Sequence, residues 1–173
     1  MKTKELTLSA MFLAIGQILP FITGQIPQIG AMLSPMHFPI FLCAFICGPK
    51  YALIVGFICP LLRGMLFNMP VLFPNGIAMA FELATYGFIT GFIYNKFKEK
   101  NLVNIYISLI VGMLVGRVVW GIVQAVLMSV SGAEAFTFAA FITRGFVNAV
   151  PGIIAQLILI PLIVNILHKR RTA

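Results

Sequence analysis

Four charged residues sit inside otherwise apolar stretches of this chain: Arg63, Glu82, Arg117 and Arg144. A charge at the centre of a bilayer costs roughly 2.5–3.5 kcal/mol on insertion scales, so such residues need partners or a purpose. Helical spacing gathers other groups beside them. Met79, Glu82 and Tyr86 share one face. Arg117, Trp120 and Gln124 form a stripe, and Arg144 stands one turn from Asn148, with Gln156 two turns further on. Asn75 precedes the Glu82 segment, and His37 lies in Ser34-Pro35-Met36-His37-Phe38-Pro39. One carboxylate cannot neutralise three guanidinium groups. The surplus positive charge favours a small molecule with an anionic group or a polarised oxygen. Trp120, Tyr86 and His37 add aromatic surface with a hydrogen-bonding handle. The structural alternative is that Glu82 neutralises one arginine while the others snorkel or bond backbone carbonyls. For His37 alone, the alternative is a satisfied loop or helix-cap residue.

The elements that hold these residues follow from composition. The chain is 61% hydrophobic and 9% charged, with a mean hydropathy of +1.05, whereas soluble domains carry about 25% charged residues. It reads as an integral membrane protein. Its long apolar runs lack period-2 alternation, which selects helices over a closed barrel. The net charge of +8 does not point to nucleic acid, because the lysines and arginines cluster between apolar spans as topology signals do. No small-residue cleavage site follows the first apolar run, so that run is kept as a membrane helix.

The predicted fold is all-α: a bundle of six transmembrane helices at about 5–22, 37–49, 51–68, 72–95, 102–130 and 138–168, forming one integral membrane domain over 1–173. Six spans with the N-terminus inside place Lys2, Lys4, Lys50, Lys96, Lys98, Lys100, Lys169, Arg170 and Arg171 on the cytoplasmic side. The outer loops then keep Glu134 and no Lys or Arg. Fusing the second and third spans would put the later clusters opposite Lys2 and Lys4. Both termini are therefore expected in the cytoplasm, with a long first extracellular loop containing Thr23-Gly24-Gln25-Ile26-Pro27-Gln28-Ile29-Gly30. Gly48-Pro49 marks a tight inner turn, and Pro60, Pro151 and Pro161 free backbone carbonyls within spans. On this topology Arg63, Asn75, Glu82, Gln124, Arg144 and Asn148 fall in the outer half of the membrane, and Arg117 lies nearer the middle. A polar pocket walled by the last three spans and covered by the first loop would collect most of them.

Small residues mark helix contacts in lipid. Gly76, Ala80 and Ala84 with Gly87-x-x-x-Gly91, and Gly112-x-x-x-Gly116, are expected to pack within the bundle. Ala10-x-x-x-Ala14 is different, because its helix is the most peripheral; there, docking on a second membrane protein is weighed equally with internal packing. Cys43, Cys47 and Cys59 all fall in apolar segments, without His or Asp beside them, and read as packing rather than metal ligands. No metal site and no cofactor is expected.

The missing motifs narrow the function. The chain has no G-x-x-x-x-G-K-[ST], no H-E-x-x-H and no Ser/His/Asp set, so it is expected neither to hydrolyse ATP itself nor to be an enzyme. With no Asp and four Glu, a proton relay has few stations. A binding unit that depends on others for energy remains. A small stand-alone membrane channel or enzyme using the charged set is the competing class.

Size, topology, the Ala10/Ala14 pair and the long first loop together resemble the substrate-binding S component of energy-coupling factor (ECF) vitamin transporters. Met36-His37-Phe38-Pro39 through Gly48-Pro49-Lys50, Pro60-Leu61-Leu62-Arg63, Met69-Pro70 and Phe81-Glu82-Leu83-Ala84-Thr85-Tyr86-Gly87 resemble the subgroup for pyridoxine, hydroxymethylpyrimidine or related precursors. The resemblance implies vitamin capture from outside, docking through Ala10 and Ala14 on a transmembrane coupling (T) subunit, and two ATP-binding-cassette ATPases that drive uptake. It implies a multi-pass protein of the cell membrane and a site formed by the fourth to sixth spans with the first loop. The substrate-binding residues expected are His37, Asn75, Glu82, Tyr86, Arg117, Trp120, Gln124, Arg144 and Asn148. A pyridine or pyrimidine suits one carboxylate, a nearby arginine and a stacking ring. Pantothenate suits surplus arginine with Asn75, Asn148 and Gln124, and is the alternative substrate.

Overall fold

The structure, a computed structural model, describes residues 3–22, 32–132 and 136–172, with side chains as far as His168. The loop 23–30 and Glu134 lie outside the described residues, and so do the side chains of Lys169, Arg170 and Arg171. Among the described residues the fold is all-helical. The helices are α1 (Thr3–Ile22), α2 (His37–Ile46), α3 (Pro49–Phe67), α4 (Ile77–Lys96), α5 (Leu102–Val130), α6 (Phe138–Val147) and α7 (Val150–Thr172).

Five of these, α1, α3, α4, α5 and α7, are long and apolar enough to cross a membrane. The second expected span is shorter than 37–49. At 1.5 Å per residue, the ten residues of α2 reach only about 15 Å, half of a hydrocarbon core. The chain leaves α2 at Gly48, whose φ of 91° suits a residue without a Cβ, and Pro49 opens α3 at a position where its missing N–H costs nothing. The sixth expected span, 138–168, is broken. Thr137 caps α6 by accepting a hydrogen bond from the Ala140 N–H at 3.2 Å. Its last turn, Thr143–Val147, widens to a π turn, and Asn148 donates its N–H to the Thr143 carbonyl at 2.9 Å. Pro151, in the first turn of α7, disfavours continuous helix through the residue before it.

The core forms where α2 is wrapped by its neighbours. Ile40, Phe41, Cys43 and Ala44 are fully buried, so a helix too short to span is the centre of the packing. α2 and α4 run side by side in the same direction: His37 faces Glu82 and Tyr86, Phe41 stacks on Tyr86, and Phe45 meets Tyr94 edge-on. Backbones approach closely on both sides of α4. A Cβ on Gly87 would fall 2.5 Å from the Ala52 carbonyl oxygen of α3, and one on Gly116 of α5 would fall 2.2 Å from the Tyr86 ring. The turn between α3 and α4 is built by Asn68 in the left-handed region and by Pro70 and Pro74, both following cis peptide bonds. Met32 and Leu33, just before α2, lie against the start of α7, where Gly152 leaves room for their backbone.

Candidate functional site

The most buried polar cluster in the described residues joins α2, α4 and α5. Glu82 and Tyr86 are one turn apart on α4, so the Tyr86 hydroxyl donates to Glu82 Oε1 at 2.8 Å. From α5, Arg117 Nη1 reaches the same oxygen at 2.8 Å. Gly116, beside Arg117, leaves room for the edge of the Tyr86 ring against α5 and so lets the two helices approach closely. From α2, His37 Nε2 stands 3.9 Å from Glu82 Oε1, too far for a hydrogen bond. All four side chains are buried. Removing two charges from water is repaid here only by the pairing and the added hydroxyl bond.

The cluster is saturated in charge and unsaturated in hydrogen bonds. Glu82 and Arg117 cancel. Both ring nitrogens of His37 are buried without a hydrogen-bond partner among the described residues, and so is Oε1 of Gln124. Gln124 spends its amide on Asn75, with Nε2 donating to Oδ1 at 3.1 Å. Buried polar atoms in folded proteins are usually paired, so the unpartnered His37 nitrogens beside the ion pair mark a place where another molecule's polar groups would fit.

Aromatic rings close one side. Trp120, one turn beyond Arg117, stacks on Phe141 at 6.2 Å and meets Phe136 edge-on at 5.6 Å. Gly145 of α6 lies 3.5 Å from Trp120 and 3.9 Å from the Arg117 side chain, measured from where its Cβ would stand. Thus α6 rests directly on the Arg117 and Trp120 stripe. Phe41, Phe136 and Phe141 are not among the residues expected from the sequence. A string of phenylalanines at 136, 138, 141 and 146 is the signal that points to two of them.

The expected site residues separate into groups. His37, Glu82, Tyr86 and Arg117 meet; Asn75 and Gln124 form a pair; Trp120 sits with the α6 rings. Arg144 and Asn148 have exposed side chains on the π turn and beyond it. Arg63 is not in the cluster. It donates to the Gln17 carbonyl of α1 and lies between Phe21 and Phe67, 4.9 and 5.1 Å from the two ring centroids. Ala10 and Ala14 are both exposed on the outer face of α1, opposite the buried Ser9, Phe12 and Gly16.

A model of the ECF transporter substrate-specific components matches residues 4–164. The chain belongs to this family. It is therefore the substrate-specific component of an ECF transporter, a transporter subunit rather than an enzyme, and a multi-pass protein of the cell membrane. Components of this kind work with a coupling subunit and ATPase subunits in the membrane. No curated protein and no solved structure matches the chain.

Proposed function

We propose that this substrate-specific component captures a flat, uncharged or zwitterionic ring of the pyridoxine or hydroxymethylpyrimidine class at the Glu82–Arg117 cluster. The observation that carries this reading is the electroneutral buried pair with the unpartnered ring nitrogens of His37 beside it, Nε2 at 3.9 Å from Glu82. A carboxylate ligand would compete with Glu82 for Arg117 and leave one negative charge uncompensated in a buried place. A ring bearing hydroxyl and ring-nitrogen groups instead adds hydrogen bonds at constant net charge. Trp120, Tyr86 and Phe41 supply the faces for stacking.

Pantothenate remains the second reading, because Arg144 adjoins Gly145 and is exposed beside the Trp120 stripe. In either case α2 counts as the second crossing and α6 with α7 as the sixth, with both termini cytoplasmic. Ala10 and Ala14 form the docking face for the coupling subunit, and two ATP-binding-cassette ATPases supply the energy.

The test is a vitamin panel read by ligand-induced thermal stabilisation of the purified chain, since binding stabilises by RT ln(1 + [L]/Kd). Pyridoxine or hydroxymethylpyrimidine should raise Tm and pantothenate should not. A shift with pantothenate alone, removed by Arg144→Gln, would transfer the assignment to the second reading.

A further inference from the structure

A crevice lies away from the charged cluster, at the end of the bundle where α1 begins and α7 ends. It measures about 340 Å³ and opens to the surface between α1, α2 and α7. Leu8 and Phe12 of α1, Phe45 of α2 and Val164 of α7 form its apolar walls, with Lys4 and His168 at the rim. α2 stops at Ile46, and a helix of ten residues leaves α1 and α7 unbridged beyond it. His168 is fixed by a 2.7 Å hydrogen bond to the Tyr94 hydroxyl, and the Lys100 ammonium lies over the same Tyr94 ring at 4.3 Å.

We infer that this crevice is a lipid site that holds one acyl chain of an anionic phospholipid, with the phosphate at Lys4. Charge complementarity joins shape in favour of that occupant. The walls are apolar and the Lys4 ammonium stands at the mouth. At ~30 Å³ per water-sized group the space takes on the order of ten methylenes, enough for most of a chain. Basic clefts between membrane helices are suited to anionic headgroups, and each lysine near a headgroup contributes about fivefold in affinity. The site shares no residue with the Glu82 cluster and does not depend on which vitamin is bound.

The experiment uses the full chain in bilayer discs of equal phosphatidylglycerol and phosphatidylcholine, each in turn spin-labelled near the acyl terminus. Phosphatidylglycerol should give a motionally restricted component several-fold larger than phosphatidylcholine does. Lys4→Gln should reduce that preference about fivefold and leave the phosphatidylcholine signal unchanged. Leu8→Trp should bring the phosphatidylglycerol component down to the boundary-lipid level seen with phosphatidylcholine. Leu167→Trp fills the crevice from the opposite wall at a more exposed position, and should do the same if Leu8→Trp fails to fold. Equal restriction of the two lipids, or a phosphatidylglycerol excess that survives both tryptophans, would overturn the proposal. So would tryptophan variants that lose only assembly with the coupling subunit, because that outcome assigns the crevice to a protein partner.

Discussion

Two buried arginines in this bundle are kept by different means. Arg117 is held by a carboxylate, through a 2.8 Å ion pair with Glu82. Arg63 is held without one, between two phenylalanine rings and a backbone carbonyl. In the first case the protein pairs opposite charges in its core and leaves neighbouring polar atoms unpartnered. In the second it surrounds one charge with polarisable surface and joins α1 to α3. An unfinished network suits a ligand, whereas a finished clamp suits only the fold. Stability and binding should therefore respond differently at the two places.

The largest effect belongs to the ion pair. Glu82→Gln leaves the Arg117 charge buried without compensation and should cost about 3–5 kcal/mol, read as a loss of Tm in detergent. Glu82→Leu with Arg117→Met should recover most of that loss, because a well-packed apolar pair is often as stable as a buried ionic one. The double variant should nevertheless show no vitamin-induced stabilisation. If it binds as well as the parent chain, the pair is structural and the comparison fails.

Next in size is Arg63→Met. Each of the two cation–ring attractions that it abolishes is worth about 1–2 kcal/mol when desolvated, so Tm should fall while the vitamin-induced shift is unchanged. A collapse of ligand affinity here would join the two regions into one site. Trp120→Ala comes third: removing a stacking ring worth about 0.5–1.5 kcal/mol should weaken ligand binding up to tenfold, measured by titration calorimetry.

The sequence makes one half of this comparison readable and hides the other. Glu82 and Tyr86 are an i,i+4 pair, so their contact follows from helix periodicity alone. Which arginine Glu82 meets depends on how α5 rotates against α4, and that is set by the close approach at Gly116. The small-residue spacing is visible in the sequence, but its consequence for Arg117 is not. Depth in the membrane, the only coordinate that hydropathy supplies, groups Arg63 with the other arginines. Its direction is fixed by Gly56 and Gly64, which press α3 onto the Leu83 carbonyl and the Leu72 side chain and turn Arg63 toward α1. Pairing Arg144 with Asn148 presumes 3.6 residues per turn. The π turn at Thr143–Val147 inserts an extra residue into that period, and this is not visible in hydropathy. The break at Gly48-Pro49 is readable because both residues have strong local backbone preferences, whereas the burial of α2 at the centre depends on packing from four other helices.

The smallest effect is also the sharpest test, because its sign reverses between two measurements. His37 is buried with neither ring nitrogen hydrogen-bonded among the described residues, 3.9 Å from Glu82. An unsatisfied buried polar group costs about 1–3 kcal/mol, and Phe is close to His in shape and suited to the Phe41 and Tyr86 rings nearby. In the ligand-free protein, His37→Phe should raise stability by about 1 kcal/mol, since it removes that cost and leaves the Glu82–Arg117 pair intact. With the vitamin present the order should invert. The variant loses a hydrogen bond to the ligand and should bind roughly tenfold more weakly, in line with about 1.4 kcal/mol per tenfold. A substitution at a purely structural histidine would move both measurements in the same direction. Thermal melts of parent and variant, with and without ligand, contain the whole test: crossing curves assign His37 to the binding site, and parallel curves assign it to the packing of α2.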